Sequence, residues 1–508
     1  MEIDRIVILG GGISGLATAF RIEHAFASQG LAPEIVVLEA DSRPGGKIRT
    51  DKTQGYLCEW GPNGFLDNRP STLELCRDLS VEDRLLPSND AARKRFIVSK
   101  GRLHQVPESP AAFFRSNLLT IRGRLRIVGE YWARATPHGV DTSIYEFGTR
   151  RLGKEATEKL LDPMVSGIFA GDPQVMSLEA CFPRIAQMER EHGSLIRAMM
   201  RLAKQRRQKG VTDDSSGPGE GERTGEEAPL ARSALSSRSR PRSGPAGPGG
   251  ILISFTDGLE TIVARLAERL GRAVRTGCAA LSVEDMRGRG RSAATYRIHY
   301  REAGREAFMD ADAVVIALPA YAAKEVVRPL EPEVSALLGE IPYAPLVVVG
   351  LGFRVSDLPQ PPDGFGFLVP HQERRSILGS LWCSSIFPGR APEGHVLTRS
   401  MVGGYRAGQA LDLDDQELVR TVLDEYQALM GWRASPVYVN IIRHPQAIPL
   451  YTIGHLKRLE RIEQVLGRHP GVYLTGNALR GVALNDCTRE ALAVARRVVQ
   501  DATGSRTL

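Results

Sequence analysis

The residues best equipped for chemistry lie at the start of the chain. Gly10-Gly11-Gly12-Ile13-Ser14-Gly15 is a GxGxxG turn between an apolar run, Ile6 to Leu9, and a segment of helical period from Ser14 to about Ser28. Glycines at these positions permit a tight turn and let the backbone approach a pyrophosphate resting on the positive end of the following helix. A second strand, Glu34 to Glu39, ends on an acid. A carboxylate there accepts hydrogen bonds from a ribose, and its charge repels a 2′-phosphate. Strand, turn, helix and strand make a βαβ unit, so the turn reads as a dinucleotide site and not as a plain glycine loop.

Two later motifs point at the same ligand. Arg43-Pro44-Gly45-Gly46-Lys47, followed by Thr50, offers a second glycine pair with cationic flanks to the pyrophosphate. It resembles the RxGGRxxT pattern of amine oxidase superfamily flavoproteins, with Lys47 in place of the second arginine. Lysine keeps the charge and loses the bidentate fork. Simple NAD-binding folds do not need this element, so the expected cofactor becomes FAD. Its expected contacts here are Gly10, Gly12, Ile13, Ser14, Gly15, Glu39, Ala40, Arg43, Gly45, Gly46 and Lys47. Near the other end, Tyr473-Leu474-Thr475-Gly476-Asn477 and then Gly481 to Cys487 read as strand, loop and helix. In that superfamily the matching Gly476 and Asn477 bind the ribityl and phosphate end of FAD, and the loop with Val482 and Leu484 passes the isoalloxazine. A helix beginning near Asp486 points its positive end at the flavin and stabilises the charge that grows there on reduction.

Composition narrows the remaining classes. The chain has 508 residues, 42% apolar and 25% charged, which is ordinary for a globular protein of two or three domains. Its six cysteines lie far apart with no CxxC pair, and its ten histidines form no ligand-like cluster, so neither a disulfide scaffold nor a zinc site is expected. The net charge of +7 resides partly in one segment, and no basic helix with interleaved aromatics suggests nucleic-acid binding. The start, MEIDRIVILGGG, lacks a basic n-region, and no apolar run is long enough to span a bilayer. A reduced, cytoplasmic protein is expected.

Organisation along the chain is uneven. Residues 205–250 include fourteen Gly or Pro and no aromatic, which predicts a disordered insertion inside the fold. Residues 107–204 read as mainly helical. After the insertion come a helix at 259–270, strands near Val274 and Tyr296, a buried strand at 313–319, mixed strands to about 405, and a helix at Asp415–Met430. The fold class is α/β: a Rossmann-like FAD-binding domain from residues 1–90, 251–320 and 456–508, a helical membrane-facing region at 91–204, and a mixed-sheet substrate domain at 321–455.

The chain resembles the flavoprotein protoporphyrinogen oxidases, with their bacterial coproporphyrinogen oxidase relatives. The resemblance rests on GGGISGLA (10–17), LEADSRPGGKI (38–48), GPNGF (61–65), FAGDP (169–173), FPRIAQMEREHGSL (182–195), GFGFLVP (364–370) and GNALRGVALNDC (476–487). It implies further FAD contacts at Gly61, Pro62 and Asn63, and one from the backbone of Ala280 to the adenine, where the family often has valine. It also implies a tetrapyrrole site, with Arg95 facing a propionate and Phe365, Gly366, Leu368, Leu378 and Met401 against the macrocycle. A guanidinium forks onto a carboxylate, although a charged run such as Arg93-Lys94-Arg95 more often marks a solvated face. The apolar positions could equally be core.

The implied reaction takes six electrons from a porphyrinogen in three rounds. Each round moves one hydride from a meso carbon to the flavin, which dioxygen then reoxidises with release of peroxide. No residue claims the role of general base. One anchoring arginine suits protoporphyrinogen IX, with two propionates, slightly better than coproporphyrinogen III, with four, though Arg93 and Lys94 could serve extra carboxylates. A flavin amine oxidase or carotenoid desaturase, or a non-catalytic porphyrin carrier, stands as the alternative. The family resemblance also implies peripheral attachment to the inner face of the cell membrane, with ferrochelatase and a second copy of the chain as candidate partners. Phe113, Phe114, Leu118, Leu119 and Ile121, with Arg115, Arg122, Arg124 and Arg126, are the residues expected at that surface.

Overall fold

The computed structural model describes residues 3–504 apart from 108–111, 113, 114, 138, 202, 203, 205–249 and 288–294. The insertion expected at 205–250 lies outside the described residues except for Gly250, as do Phe113 and Phe114 of the expected membrane surface.

A five-stranded sheet runs in the order Val274–Arg275, Glu34–Leu38, Arg5–Leu9, Ala313–Ile316, Val472–Leu474, and every pairing in it is parallel. Parallel neighbours need covered crossovers, so three distant parts of the chain meet in one sheet. Ile6, Val7, Ile8 and Leu9 are fully buried, as expected of a strand covered on both faces. Helices Ile13–Ala27, Glu260–Leu270 and Leu484–Thr503 pack on one face. The other face carries the antiparallel sheet of Cys278–Asp285, Tyr296–Glu302 and Arg305–Ala311, with helices Ala320–Val327, Pro332–Gly339 and His455–Leu466.

A second, seven-stranded sheet is mostly antiparallel. Its order is Tyr438–Pro449, Tyr343–Arg354, His395–Gly403, Ile377–Leu381, Gly366–Leu368, Arg95–Ser99, Arg102–Gln105. Helix Asp415–Met430, closed by an Asp414/Glu417 capping box, shares an apolar core with one face. Helices Ile144–Arg151, Asp162–Phe169 and Leu178–Cys181 cover part of the other. Residues 95–105 thus form strands in this sheet, ahead of the helical stretch. Within the helices, fully buried Arg151 donates to Glu130 at 3.1 Å and to Glu189 at 2.6 Å. Among the described residues no helix is long and apolar enough to cross a membrane.

Candidate flavin and substrate site

The glycine turn sits at the carboxyl ends of the parallel strands. Gly10 has φ +103°, and a Cβ there would approach the Ala317 carbonyl oxygen to 2.9 Å. The helix begins at Ile13 with Gly12 as its N-cap and no side chain capping it. That leaves the first-turn N–H groups for an anion. A Cβ on Gly12 would meet nothing within 4 Å, so this side of the turn is open. Gly45 N donates to Gly11 O at 2.7 Å, which joins the second glycine pair to the first.

Glu39 is buried at the mouth of the turn. Its Oε2 accepts from Gly11 N at 2.7 Å and its Oε1 from Asp41 N at 2.9 Å. Each oxygen keeps a lone pair for a ribose hydroxyl. Burial raises its pKa, and the two backbone N–H groups oppose that rise. Ala40 is exposed beside it. Ala280 lies on the strand that starts where Cys278 N donates to Glu39 O at 2.8 Å, close to the acid.

The two cationic flanks of the second motif have partners within the chain. Arg43 Nη1 pairs with Glu260 at 3.3 Å and its Nη2 donates to Gly46 O at 3.1 Å, so it braces the loop. Lys47 Nζ donates to the carbonyls of Gln446 and Ala447 at 2.5 and 2.6 Å. Burial pushes its pKa down to about 8. A Cβ on Gly61 would stand 2.5 Å from Lys47 O, so the Gly61-Pro62-Asn63 segment packs directly on this loop.

The C-terminal motif closes the ring of contacts. Gly476 has φ +127° and lies beside Leu318 O. Helix Leu484–Thr503 starts two residues before Asp486, with Ala483 as an N-cap that offers no side-chain acceptor. Val482 joins Trp60, Leu378 and Met401 in one apolar cluster. Residues from the two ends of the chain therefore meet residues of the seven-stranded sheet in that cluster.

The structure separates the expected substrate residues into two sets. Leu378 and Met401 share the cluster just named, and Leu368 packs beside Gly167 of helix Asp162–Phe169 and against Gly379. Gly366 is directly opposite Arg95 across a parallel pair, and its close approach to Ser380 O leaves no room for a Cβ. Phe365 packs elsewhere, with Ile386, Phe387 and Leu252. Its ring carries the Arg95 guanidinium at 5.0 Å. Of the three adjacent cations, Arg93 pairs with Asp90 and Lys94 with Asp363. Arg95 makes no ion pair among the described residues.

Two further residues beside these motifs, Trp60 and Arg399, carry no sequence signal. Trp60 Nε1, Asn63 Nδ2, Thr475 Oγ1 and two nitrogens of Arg399 are buried without a hydrogen-bond partner among the described residues. Orphaned buried donors at a cradle of glycines fit a polar ligand, and the residues present suit FAD. Tyr451 and His455 hold the C-terminal loop from beneath. Tyr451 Oη donates to Asn477 O at 2.5 Å and accepts from Gly481 N at 2.8 Å. His455 stacks on Tyr451 at 4.2 Å and bonds Leu479 O at 2.8 Å.

Burial pushes the His455 pKa from 6.5 down to about 4. The folded state therefore holds it neutral while the unfolded chain takes up a proton below pH 6.5. Stability falls as pH drops through that window and levels off below pH 4, with about 2 kcal/mol lost between pH 7 and pH 5. A His455→Gln variant should show a thermal midpoint that declines less steeply over this range. Equal slopes would assign the acid sensitivity to other groups.

A parallel sheet with an uncapped glycine-rich turn at its strand ends, a buried acid bonded to that turn and a second, mostly antiparallel sheet fit a dinucleotide-binding fold. The chain belongs to the flavin-containing amine oxidoreductase family, whose model matches residues 13–499. It is 31% identical over 505 residues to a chloroplastic protoporphyrinogen oxidase of Oryza sativa subsp. japonica, covering 97% of this chain and 87% of that one. It is 29% identical to a coproporphyrinogen III oxidase of Bacillus subtilis (strain 168), covering 96% of each. A crystal structure from Exiguobacterium sp. 255-15, with a provisional protoporphyrinogen oxidase assignment, superposes with a TM-score of 0.76 at 26% identity, over 98% of this chain and 99% of that one.

Proposed function

We propose that the protein oxidises protoporphyrinogen IX to protoporphyrin IX in porphyrin biosynthesis, with FAD as cofactor and dioxygen as acceptor. The observation that carries this reading is Arg95. It alone of three adjacent cations has no acid of its own among the described residues, and it stands in register with Gly366 in the sheet that bears Leu368, Leu378 and Met401. The full-length relatives named for porphyrinogen oxidation support the same substrate class.

Bound FAD supplies two-electron chemistry that the side chains cannot. The chain binds and orients. Gly10, Gly12, Gly45 and Gly46 bring backbone to the pyrophosphate, Glu39 holds the ribose, and Gly476 with the 481–484 loop frames the ring. Arg95 fixes a propionate, and Leu368, Leu378 and Met401 give the macrocycle an apolar surface that excludes water. Porphyrin fluorescence in air tests the reading, with protoporphyrinogen IX and coproporphyrinogen III added separately to the yellow protein. A fast signal with the first is expected. A fast signal mainly with the second moves the substrate to the tetracarboxylate, and none above autoxidation sinks the oxidase reading.

Membrane attachment is part of the same proposal. Leu118 and Leu119 are buried, but Ile121, Leu125, Val128 and Trp132 are 71, 66, 42 and 72% exposed. Their spacing of four, three and four residues puts them along one side of helix Ile121–Val128 and the turn after it. Arg115, Arg122 and Arg134 are exposed nearby, whereas Arg126 is engaged by the carbonyls of Arg150 and Arg151. An apolar stripe with cations beside it suits an anionic lipid surface, on the inner face of the cell membrane. There ferrochelatase could take the product, and a second copy of the chain could dock. Leu125→Glu with Trp132→Glu should weaken sedimentation with anionic vesicles by about tenfold and leave oxidation in detergent unchanged. Undiminished sedimentation would exclude this helix as the contact.

A further inference from the structure

Arg399 is a buried cation with two nitrogens unpaired among the described residues. It lies in the interior strand His395–Gly403, third in the seven-stranded sheet, and is only 5% exposed. Its Nη2 donates to Gly61 O at 2.5 Å. Its Nε and Nη1 have no partner, and it makes no ion pair among the described residues. The buried acid on that segment, Glu59, is already used by Leu259 N and Thr50 Oγ1, each at 2.8 Å, and it faces a second buried cation, Arg390, at 3.8 Å. Two buried guanidinium groups thus share one carboxylate. An uncompensated buried charge costs several kcal/mol, so such an arrangement is expected where a bound group brings negative charge.

The neighbours say what kind of group. Trp60 Nε1 and Asn63 Nδ2, on either side of Gly61, are also buried donors without acceptors. Met401, two residues along the strand and so on the same face as Arg399, belongs to the cluster of Trp60, Val482 and Leu378. Donors alone, with no acceptor among them, call for an electron-rich acceptor. Arg95 is not competing for the same group. Arg399, Leu381, Gly366 and Arg95 stand directly opposite one another across successive strands. Three strand spacings put the two arginines about 14 Å apart, too far to share one carboxylate.

We propose that Arg399 faces the bound flavin at the Gly61 segment and stabilises the negative charge the flavin gains on reduction, so that it sets the flavin's reduction potential. This rests on the reading that residues 61–63 face FAD. The test uses purified holoenzyme of the wild type, Arg399→Gln and Arg399→Lys. Glutamine keeps a donor for the Gly61 carbonyl without the charge, and lysine keeps the charge. The measurements are FAD content, the flavin reduction potential against reference dyes, and KM for protoporphyrinogen IX.

The expected result is a yellow Arg399→Gln protein whose flavin is at least tenfold harder to reduce, about 30 mV for a two-electron couple, with Arg399→Lys within threefold of wild type. An unchanged potential in Arg399→Gln would overturn the proposal, and a raised KM beside it would give the cation to a substrate carboxylate. A tenfold shift in Arg399→Lys would overturn it as well, even if the glutamine variant failed to fold. A wild-type protein without flavin would instead defeat the cofactor reading on which the proposal rests.

Discussion

Gly15→Ala yields protein without flavin. Gly15 sits in the first turn of helix Ile13–Ala27, and a Cβ on it would lie 1.9 Å from the Gly10 carbonyl oxygen. That neighbour is backbone in the same turn, so it cannot swing aside as a side chain would. Relief requires the helix to move away from the strand end, and this movement also displaces Gly12 and the first-turn N–H groups that would meet the pyrophosphate. The loss is therefore of the cradle as a whole, well beyond the cost of one methyl group. Flavin absorbance near 450 nm relative to protein absorbance checks it. The expected outcome is near-complete loss of bound FAD and of oxidation, in a protein that still folds around its two sheets. A stoichiometric yellow Gly15→Ala protein would show that the turn does not carry the pyrophosphate.

The second large effect falls on substrate binding alone. Arg95→Ala should raise KM for the porphyrinogen about 100-fold while kcat falls little, because a charge-assisted bidentate contact made equally before and during reaction contributes about 1.5–3 kcal/mol. FAD content should stay at the wild-type level, since Arg95 lies on the seven-stranded sheet and touches Phe365, not the glycine turns. Arg95→Lys should recover only part of the loss, because an ammonium cannot fork. Arg93→Ala is the control: Arg93 already has Asp90, so its removal should leave KM near wild type. Unchanged kinetics in Arg95→Ala would remove the propionate anchor from the site. If the Arg93 variant carried the defect instead, the anchor would move by two residues.

Much of the cofactor half of the site is readable from local sequence. The βαβ unit, the second glycine pair and the C-terminal strand, loop and helix all form within a few residues of where their periodicity places them. Turn chemistry and apolar runs act over short distances. The long strand Tyr438–Pro449 is less visible, because a histidine, an arginine and two prolines interrupt its alternation. It is held by pairing with Tyr343–Arg354, a partner some ninety residues away.

By itself, then, the amino-acid sequence determined the dinucleotide turn, the acid at its mouth, the flavin-type second motif and the family. Each is a short stretch whose backbone conformation depends on its own glycines and apolar neighbours. Tertiary structure decided which of the three adjacent cations lacks an acid among the described residues. Arg95 differs from Arg93 and Lys94 only because Asp90 and Asp363 reach those two and not it. It also decided that Phe365 packs into a separate core, and that Arg399 is buried against Gly61 with no ion pair among the described residues. Asp363 lies 269 residues from Lys94, and Gly61 lies 338 from Arg399. Charge balance and burial are sums over such distant neighbours, and only the folded chain performs them.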